Sequence, residues 1–281
     1  MVEPFSSLAD ASARIVGTAD LEKKVEIAFA AAKAWFGRRL SLRSAEDQPM
    51  PDRPGRPERP LLVPPRELPK RSLGSQQGRI ALIHSLAHIE LNAVDLTWDL
   101  VGRFAREPMP RSFFDNWVQV GLEEAKHFSL LDTHLTTRLG ARYGDMPAHD
   151  GLWQATQETG HDLMARLAIL PLVLEARGLD VTPPLIDKLA EQGDEDGADI
   201  LRIIYRDERR HVAFGCKWFR FLCDRHALAP EPTFRKLVIK HFRGPLKPPF
   251  NDAARAEAGM PPGFYRPLVR PASPEAGPRG A

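Results

Sequence analysis

Two pentapeptides decide how this chain is read: Glu123-Glu124-Ala125-Lys126-His127 and Asp207-Glu208-Arg209-Arg210-His211. Both read acid-Glu-x-x-His. On a helix, residues i and i+3 project from one face, so each pair can offer one carboxylate oxygen and one imidazole nitrogen to a single point. With 9 His in 281 residues, composition predicts less than one Glu-x-x-His match by chance; the chain has three, the third being Glu158-Thr159-Gly160-His161. One match is ordinary for a solvated helix face. Two that share a preceding acid and fall on different helices point to a metal site.

Outward from these strings, four long segments show helical apolar spacing and almost no strand alternation. They are residues 77–105, 111–139, 150–178 and 197–225. At about 1.5 Å per residue each runs roughly 40 Å. Pro108 and Pro110 break the first pair, and Gly140, Gly144 and Pro147 the second and third. Pro183, Pro184, Gly193 and Gly197 separate the third from the fourth, around a short helix at 185–192. The pattern predicts an all-α four-helix bundle.

A dinuclear carboxylate site in such a bundle takes one Glu from each of two helices and a Glu-x-x-His from each of the others. The first helix offers Glu90 and the third offers Glu175. Glu90 precedes Glu124 by 34 residues and Glu175 precedes Glu208 by 33, so the halves form a quasi-repeat. The expected ligands are Glu90, Glu124, His127, Glu175, Glu208 and His211. Four carboxylates and two imidazoles suit iron or manganese, including a mixed pair, better than zinc. Without cations, four converging carboxylates would be strongly unfavourable. The preceding acids are placed to accept the other imidazole N–H. A crosswise arrangement is expected, Asp207 toward His127 and Glu123 toward His211. Tyr205, three residues before Glu208, is expected to approach the site.

Other tempting residues are discounted. His161 lies 14 residues before Glu175, about 20 Å along one helix, so Glu158 and His161 belong outside the site. His88 lies two positions from Glu90 and faces elsewhere; His84 and His88 read as hydrogen-bonding residues. Pro171 lies one turn before Glu175, where a kink would shape the cavity. Trp98, Trp117, Trp153 and Trp218 read as core.

The flanks differ from the bundle. Residues 19–36 predict an N-terminal helix with Gly37 as its stop. Residues 49–69 hold eight of the 26 prolines, which excludes helix and central strand and predicts an extended strap. A short helix is expected at 232–242, followed by an arm rich in proline and glycine. The organisation is then 1–75, 76–228 and 229–281. Residues from Arg235 onward carry net +6 and residues 51–72 net +3 against +2 for the chain, leaving −7 for the rest. Basic flanks docking on an acidic bundle is the simplest expectation, with nucleic-acid binding the alternative. The start of the sequence has no secretory pattern and no segment is a membrane span, which predicts a cytoplasmic protein. Cys216 and Cys223, about 10.5 Å apart if helical, are expected as free thiols. Two cysteines exclude a four-cysteine zinc site or cluster within one chain.

At the level of longer strings the chain resembles the ferritin-like di-metal carboxylate superfamily. That group includes ribonucleotide reductase small subunits, bacterial multicomponent monooxygenases and a tRNA hydroxylase acting on modified adenosine. More closely, it resembles an uncharacterised bacterial ferritin-like family, domain of unknown function 455. The strings that carry this are Arg71-Ser72-Leu73-Gly74, HSLAHIELNAVDLTWD at 84–99, EEAKHF, YGDMPAHDGLW, LPLVLEARGLDVTP, DERRHVAFG and KPPFNDAARAEAG, spanning roughly residues 50–262. The resemblance implies a ferritin-like bundle and the six-ligand pattern, with no departure at the six positions. It implies O2-dependent oxidation of a small molecule or modified nucleoside, with electrons from a separate partner. Neither GxGxxG nor GxxxxGK[ST] is present for a nucleotide cofactor. Ferroxidase or peroxide-scavenging chemistry, a tRNA-modifying hydroxylase and a non-enzymatic metal-bound scaffold are the alternatives.

Overall fold

The computed structural model of the chain describes residues 4–45, 47, 49–68 and 74–269. Arg71–Leu73 of the first resemblance string and the last residues of the expected arm lie outside them. Ten α-helices are described: α1 Leu8–Gly17, α2 Leu21–Phe36, α3 Gln76–Arg103, α4 Arg111–Thr137, α5 Gly151–Gln157, α6 Leu163–Ile169, α7 Ala176–Glu191, α8 Glu195–Arg225, α9 Pro230–His241 and α10 Asp252–Glu257. A π-helical turn, Leu170–Glu175, joins α6 to α7. Among the described residues there is no strand, only the isolated bridges Leu62–Ala148 and Leu246–Val269. None of the described helices is long and apolar enough to cross a membrane. Both cysteines are free and buried.

Capping fixes the long helices. Ser75 Oγ accepts the Gly78 N–H at 3.1 Å to start α3. Asp194 accepts the Gly197 N–H at 3.0 Å to start α8, and its other oxygen lies 3.1 Å from His134 Nε2 near the end of α4. Pro110 stands immediately before α4. In the helical bundle α3 packs on α4, α4 on α8, and α7 with the π turn on α8. The remaining side, between α3 and the π turn with α7, is spread around a cavity.

The expected third helix, 150–178, is not continuous. Glu158–Asp162 turns the chain, because Asp162 accepts the Ala165 N–H at 3.0 Å and begins a new helix there. Buried Arg166 holds the turn through Thr159 Oγ1 at 3.0 Å and the Thr156 carbonyl at 3.2 Å. Nor do Pro183 and Pro184 end a helix: both lie inside α7. Pro183 has no N–H for the Leu179 carbonyl, and Asn251 Nδ2 donates to that carbonyl instead, at 3.3 Å. The expected helix at 185–192 is the last part of α7.

The flanks pack against the bundle. Two N-terminal helices replace the one expected, α1 against α3 and α2 against α4. Lys24, fully buried, donates to the Ile15 and Val16 carbonyls at the end of α1 at 2.8 and 3.2 Å and pairs with Asp95 of α3. Arg56, from the proline-rich segment, meets the same Asp95 at 2.8 Å. Residues 244–269, expected as an arm, lie on the bundle. Met260, Phe264 and Tyr265 are buried, and Arg255 donates to both Asp180 oxygens at 2.8 and 2.7 Å.

Candidate metal centre

Glu90 of α3, Glu124 and His127 of α4, Glu175 of the π turn, and Glu208 and His211 of α8 are all buried at the centre of the bundle. The i, i+3 spacing aims each Glu-His pair inward. His127 Nδ1 lies 3.5 Å from Glu124 and 3.2 Å from Glu90. His211 Nδ1 lies 3.5 Å from Glu208 and 3.0 Å from Glu124. Glu124 thus faces both imidazoles, one oxygen toward each. One atom each from Glu90, Glu124, His127 and Glu208 lie within 4.8 Å of one another, as do atoms from Glu175, Glu208 and His211. Glu208 belongs to both groups.

The outward ring nitrogens cross over. His127 Nε2 meets Asp207 Oδ2 at 3.2 Å and His211 Nε2 meets Glu123 Oε2 at 2.8 Å. An ionised carboxylate only accepts, so each Nε2 carries the proton. In the neutral tautomer the Nδ1 lone pair then points at the glutamates. Arg210 joins the two supports, donating to Glu123 and, at 3.1 Å, to Asp207. Sequence reasoning missed Arg210; the signal available was its i+3 relation to Asp207.

Glu124 Oε1 and Oε2, Glu175 Oε1 and Oε2, Glu208 Oε2 and His211 Nδ1 are buried with no hydrogen-bond partner among the described residues. Buried polar atoms are almost always satisfied. Glu124 and His211 approach to 3.0 Å without hydrogen-bond alignment, so their atoms are aimed at a common point rather than at each other. This is a donor set that fits cations.

A model of the family described as protein of unknown function (DUF455) matches residues 17–266. This chain belongs to that family. It is 43% identical over 209 residues, 73% of this chain and 72% of the other, to an uncharacterized protein of Haemophilus influenzae. No solved structure matches.

The electrostatics follow from burial and crowding. Burial, then the Glu124 charge, pushes the Glu90 carboxyl up; burial and Glu208 push Glu175 well above the carboxylate range; burial and Glu124 raise Glu208. Burial would also raise Glu124, but the two imidazoles outweigh it and hold that carboxyl low. For His127, burial is outweighed by Asp207, Glu124 and Glu90, and the imidazole rises well above its ordinary value. At His211, burial is outweighed by Glu208, Glu123 and Glu124, with the same result. Burial is likewise overcome at Asp207 by His127 and Arg206, and at Glu123 by His211, so both supports are lowered.

The other sequence expectations sort clearly. The Tyr205 hydroxyl accepts from Asn251 Nδ2 at 3.3 Å. Glu158 meets Arg243 at 3.6 Å and His161 rings with His241 at 6.1 Å, away from the six residues. His88 Nε2 donates to the His149 carbonyl at 3.0 Å and Nδ1 accepts from Tyr143 at 2.7 Å. His84 Nε2 accepts the Gly144 N–H at 2.9 Å. Pro171 opens the π turn that carries Glu175, and the Ala176 N–H reaches back to the Pro171 carbonyl. Such turns recur at functional sites. Gly215 of α8 sits against Pro171, where a Cβ would come 2.5 Å from the ring.

Proposed function

We propose that this chain is a ferritin-like protein whose six buried residues hold a dinuclear iron or manganese centre, and that it oxidises a small organic substrate with O2. The observation that carries this reading is the set of unpartnered buried oxygens between two inward-facing imidazole nitrogens. Glu90 and His127 would serve one ion, Glu175 and His211 the other, with Glu124 and Glu208 between them. Four carboxylates balance two divalent cations, which removes the cost of burying the acids. When bound and reduced, iron or manganese supplies the electrons for O2 chemistry, a task that side chains alone do not perform.

The chain's own groups have defined parts in this reading. Asp207 and Glu123 keep each Nε2 protonated and each Nδ1 aimed inward, and their charge raises ligand basicity. Arg210 holds those two carboxylates in register. The apolar wall beside Glu90, Glu175 and Glu208 leaves room for an organic molecule, which favours substrate oxidation over metal handling. The basic C-terminal residues supply less for a nucleic-acid surface than their sequence suggests, since Arg255 is buried on Asp180.

The test loads the protein with about two Fe(II) per chain without O2, then admits O2. The expected result is oxidation of both irons to a coupled diferric pair by Mössbauer spectroscopy. Repeated Fe(II) turnover with no organic substrate would favour ferroxidase chemistry. Isolated ferric ions, or no oxidation, would overturn the dinuclear reading.

A further inference from the structure

The cavity between α3 and the π turn with α7 measures about 610 Å³, within the roughly 300–1,000 Å³ typical of small-molecule sites. Most of its wall is apolar, with Ile89, Ala93, Leu152, Val173 and Ile204 among the lining residues. Its charged lining is divided by sign. The acids are Glu90, Glu175 and Glu208, all buried. The fixed cations are Arg177, Arg243 and Lys247. Arg243 is 94% exposed, and its one ion pair among the described residues is with Glu158, itself 56% exposed, at 3.6 Å, a weak pair. Lys247 is exposed and makes no ion pair among the described residues. The inner end is therefore acidic, the middle apolar and the mouth basic.

The mouth is built, not incidental. Arg177 Nη1 donates to the Lys247 and Pro249 carbonyls at 2.7 and 2.9 Å, and Leu246 bridges to Val269. These contacts hold the Phe242–Lys247 stretch against α7. On the opposite wall, His84 and His88 have their ring nitrogens engaged with Gly144, Tyr143 and His149. Burial, at each the largest influence, lowers both imidazoles to about 4, so neither is a charged competitor for the mouth.

We propose that this cavity binds an amphipathic organic anion, its carboxylate or phosphate head at Arg243 and Lys247 and its apolar chain reaching toward Glu90, Glu175 and Glu208. With four carboxylates already balancing two divalent cations, the inner end holds no net positive charge to attract an anionic head. The apolar middle offers it nothing. Only the mouth is complementary, which fixes the direction of the chain. Resting on the oxidative reading above, this presents the carbon farthest from the head group to the acidic cluster.

The test is isothermal titration of the full-length protein with decanoate, decyl phosphate, 1-decanol and decyltrimethylammonium, with metal content measured on the same preparations. One site per chain is expected, with at least one of the two anions binding about tenfold or more tighter than the alcohol and the cation weakest. The tighter anion identifies the head group. Arg243→Ala with Lys247→Ala should bring the anions to the affinity of the alcohol. Ala93→Phe should weaken anions and alcohol together; Ala93→Leu serves the same purpose if the phenylalanine variant does not fold by circular dichroism. Equal affinity for anions and alcohol, or anion binding untouched by the double substitution or by filling the cavity, overturns the proposal. Two bound metals with no anion binding sinks this inference and leaves the proposed function standing. Anion binding that responds to both sets of substitutions in protein that binds no metal does the reverse.

Discussion

Two of the buried charge clusters on helix α3 lie nine residues apart, one around Asp99 and one around Glu90. The hydrogen bonding of the Asp99 cluster is satisfied. Its carboxylate receives Arg166 at 2.6 Å and Arg103 at 2.7 Å, and Arg166 also donates to Thr159 and Thr156. The Glu90 cluster brings four carboxylates to two imidazoles and leaves five carboxylate oxygens without hydrogen-bond partners among the described residues. Matched donors and acceptors describe a structural knot. An excess of buried acceptors describes a receptor for cations.

The largest expected effect sharpens that contrast. Asp99→Ala strands buried Arg166 and should cost about 3–5 kcal/mol in urea unfolding followed by circular dichroism. Glu175→Ala in metal-free protein should cost less than about 1 kcal/mol or stabilise, because burial and the like charge of Glu208 already push that carboxyl up. Metal binding should be lost. Similar destabilisation at both positions would break the comparison.

Next come the supports of the imidazoles. Asp207→Asn keeps the shape and an acceptor for His127 but removes the charge, and should weaken metal affinity roughly 10–100-fold. Glu158→Gln is the matched control from the Glu-x-x-His string outside the cluster, and its affinity should equal that of the wild type. Equal losses would mean that Glu158 reaches the metals. Gly215→Ala forces a Cβ onto Pro171 and should cost about 1–3 kcal/mol, read by thermal unfolding. A neutral result would show that the contact between α8 and the π turn has slack.

The smallest expected effect comes from a third kind of buried polar group, neither a matched ion pair nor an acceptor cluster. Burial lowers His84 to about 4, and its Nε2 must stay unprotonated to accept from Gly144. The unfolded chain takes up this proton near pH 6.5 and the folded chain does not until about 4. Stability contributed by neutral His84 is therefore complete above pH 6.5, falls as pH drops toward 4, and levels below that. The loss should be on the order of 1–2 kcal/mol after solvent screening. His84→Gln should flatten that slope in urea titrations at stepped pH; an unchanged slope would refute the assignment.

Where reach was local, the chain was legible as sequence. The i, i+3 spacing is enough to turn Glu124 with His127, and Glu208 with His211, to one side of each helix, and the acids one residue earlier fall beside the opposite ring. Where a distant residue intervened, reading failed. Nothing near Pro183 and Pro184 says that a helix continues through them; the donor that permits it is Asn251, 68 residues later. The break at Glu158–Asp162 depends on Arg166 being buried against Asp99 of another helix. Residues 244–269 read as an arm because their anchors, Arg255 and Phe264, find their partners only in three dimensions. The π turn was half visible: Pro171 announced a distortion but not its form.

The most direct measurement is an anomalous difference map from crystals loaded separately with Fe(II), without O2, and with Mn(II). The account predicts two peaks per chain, one bounded by Glu90, Glu124 and His127 and the other by Glu175, Glu208 and His211. No anomalous peak among these six residues with either metal would contradict it.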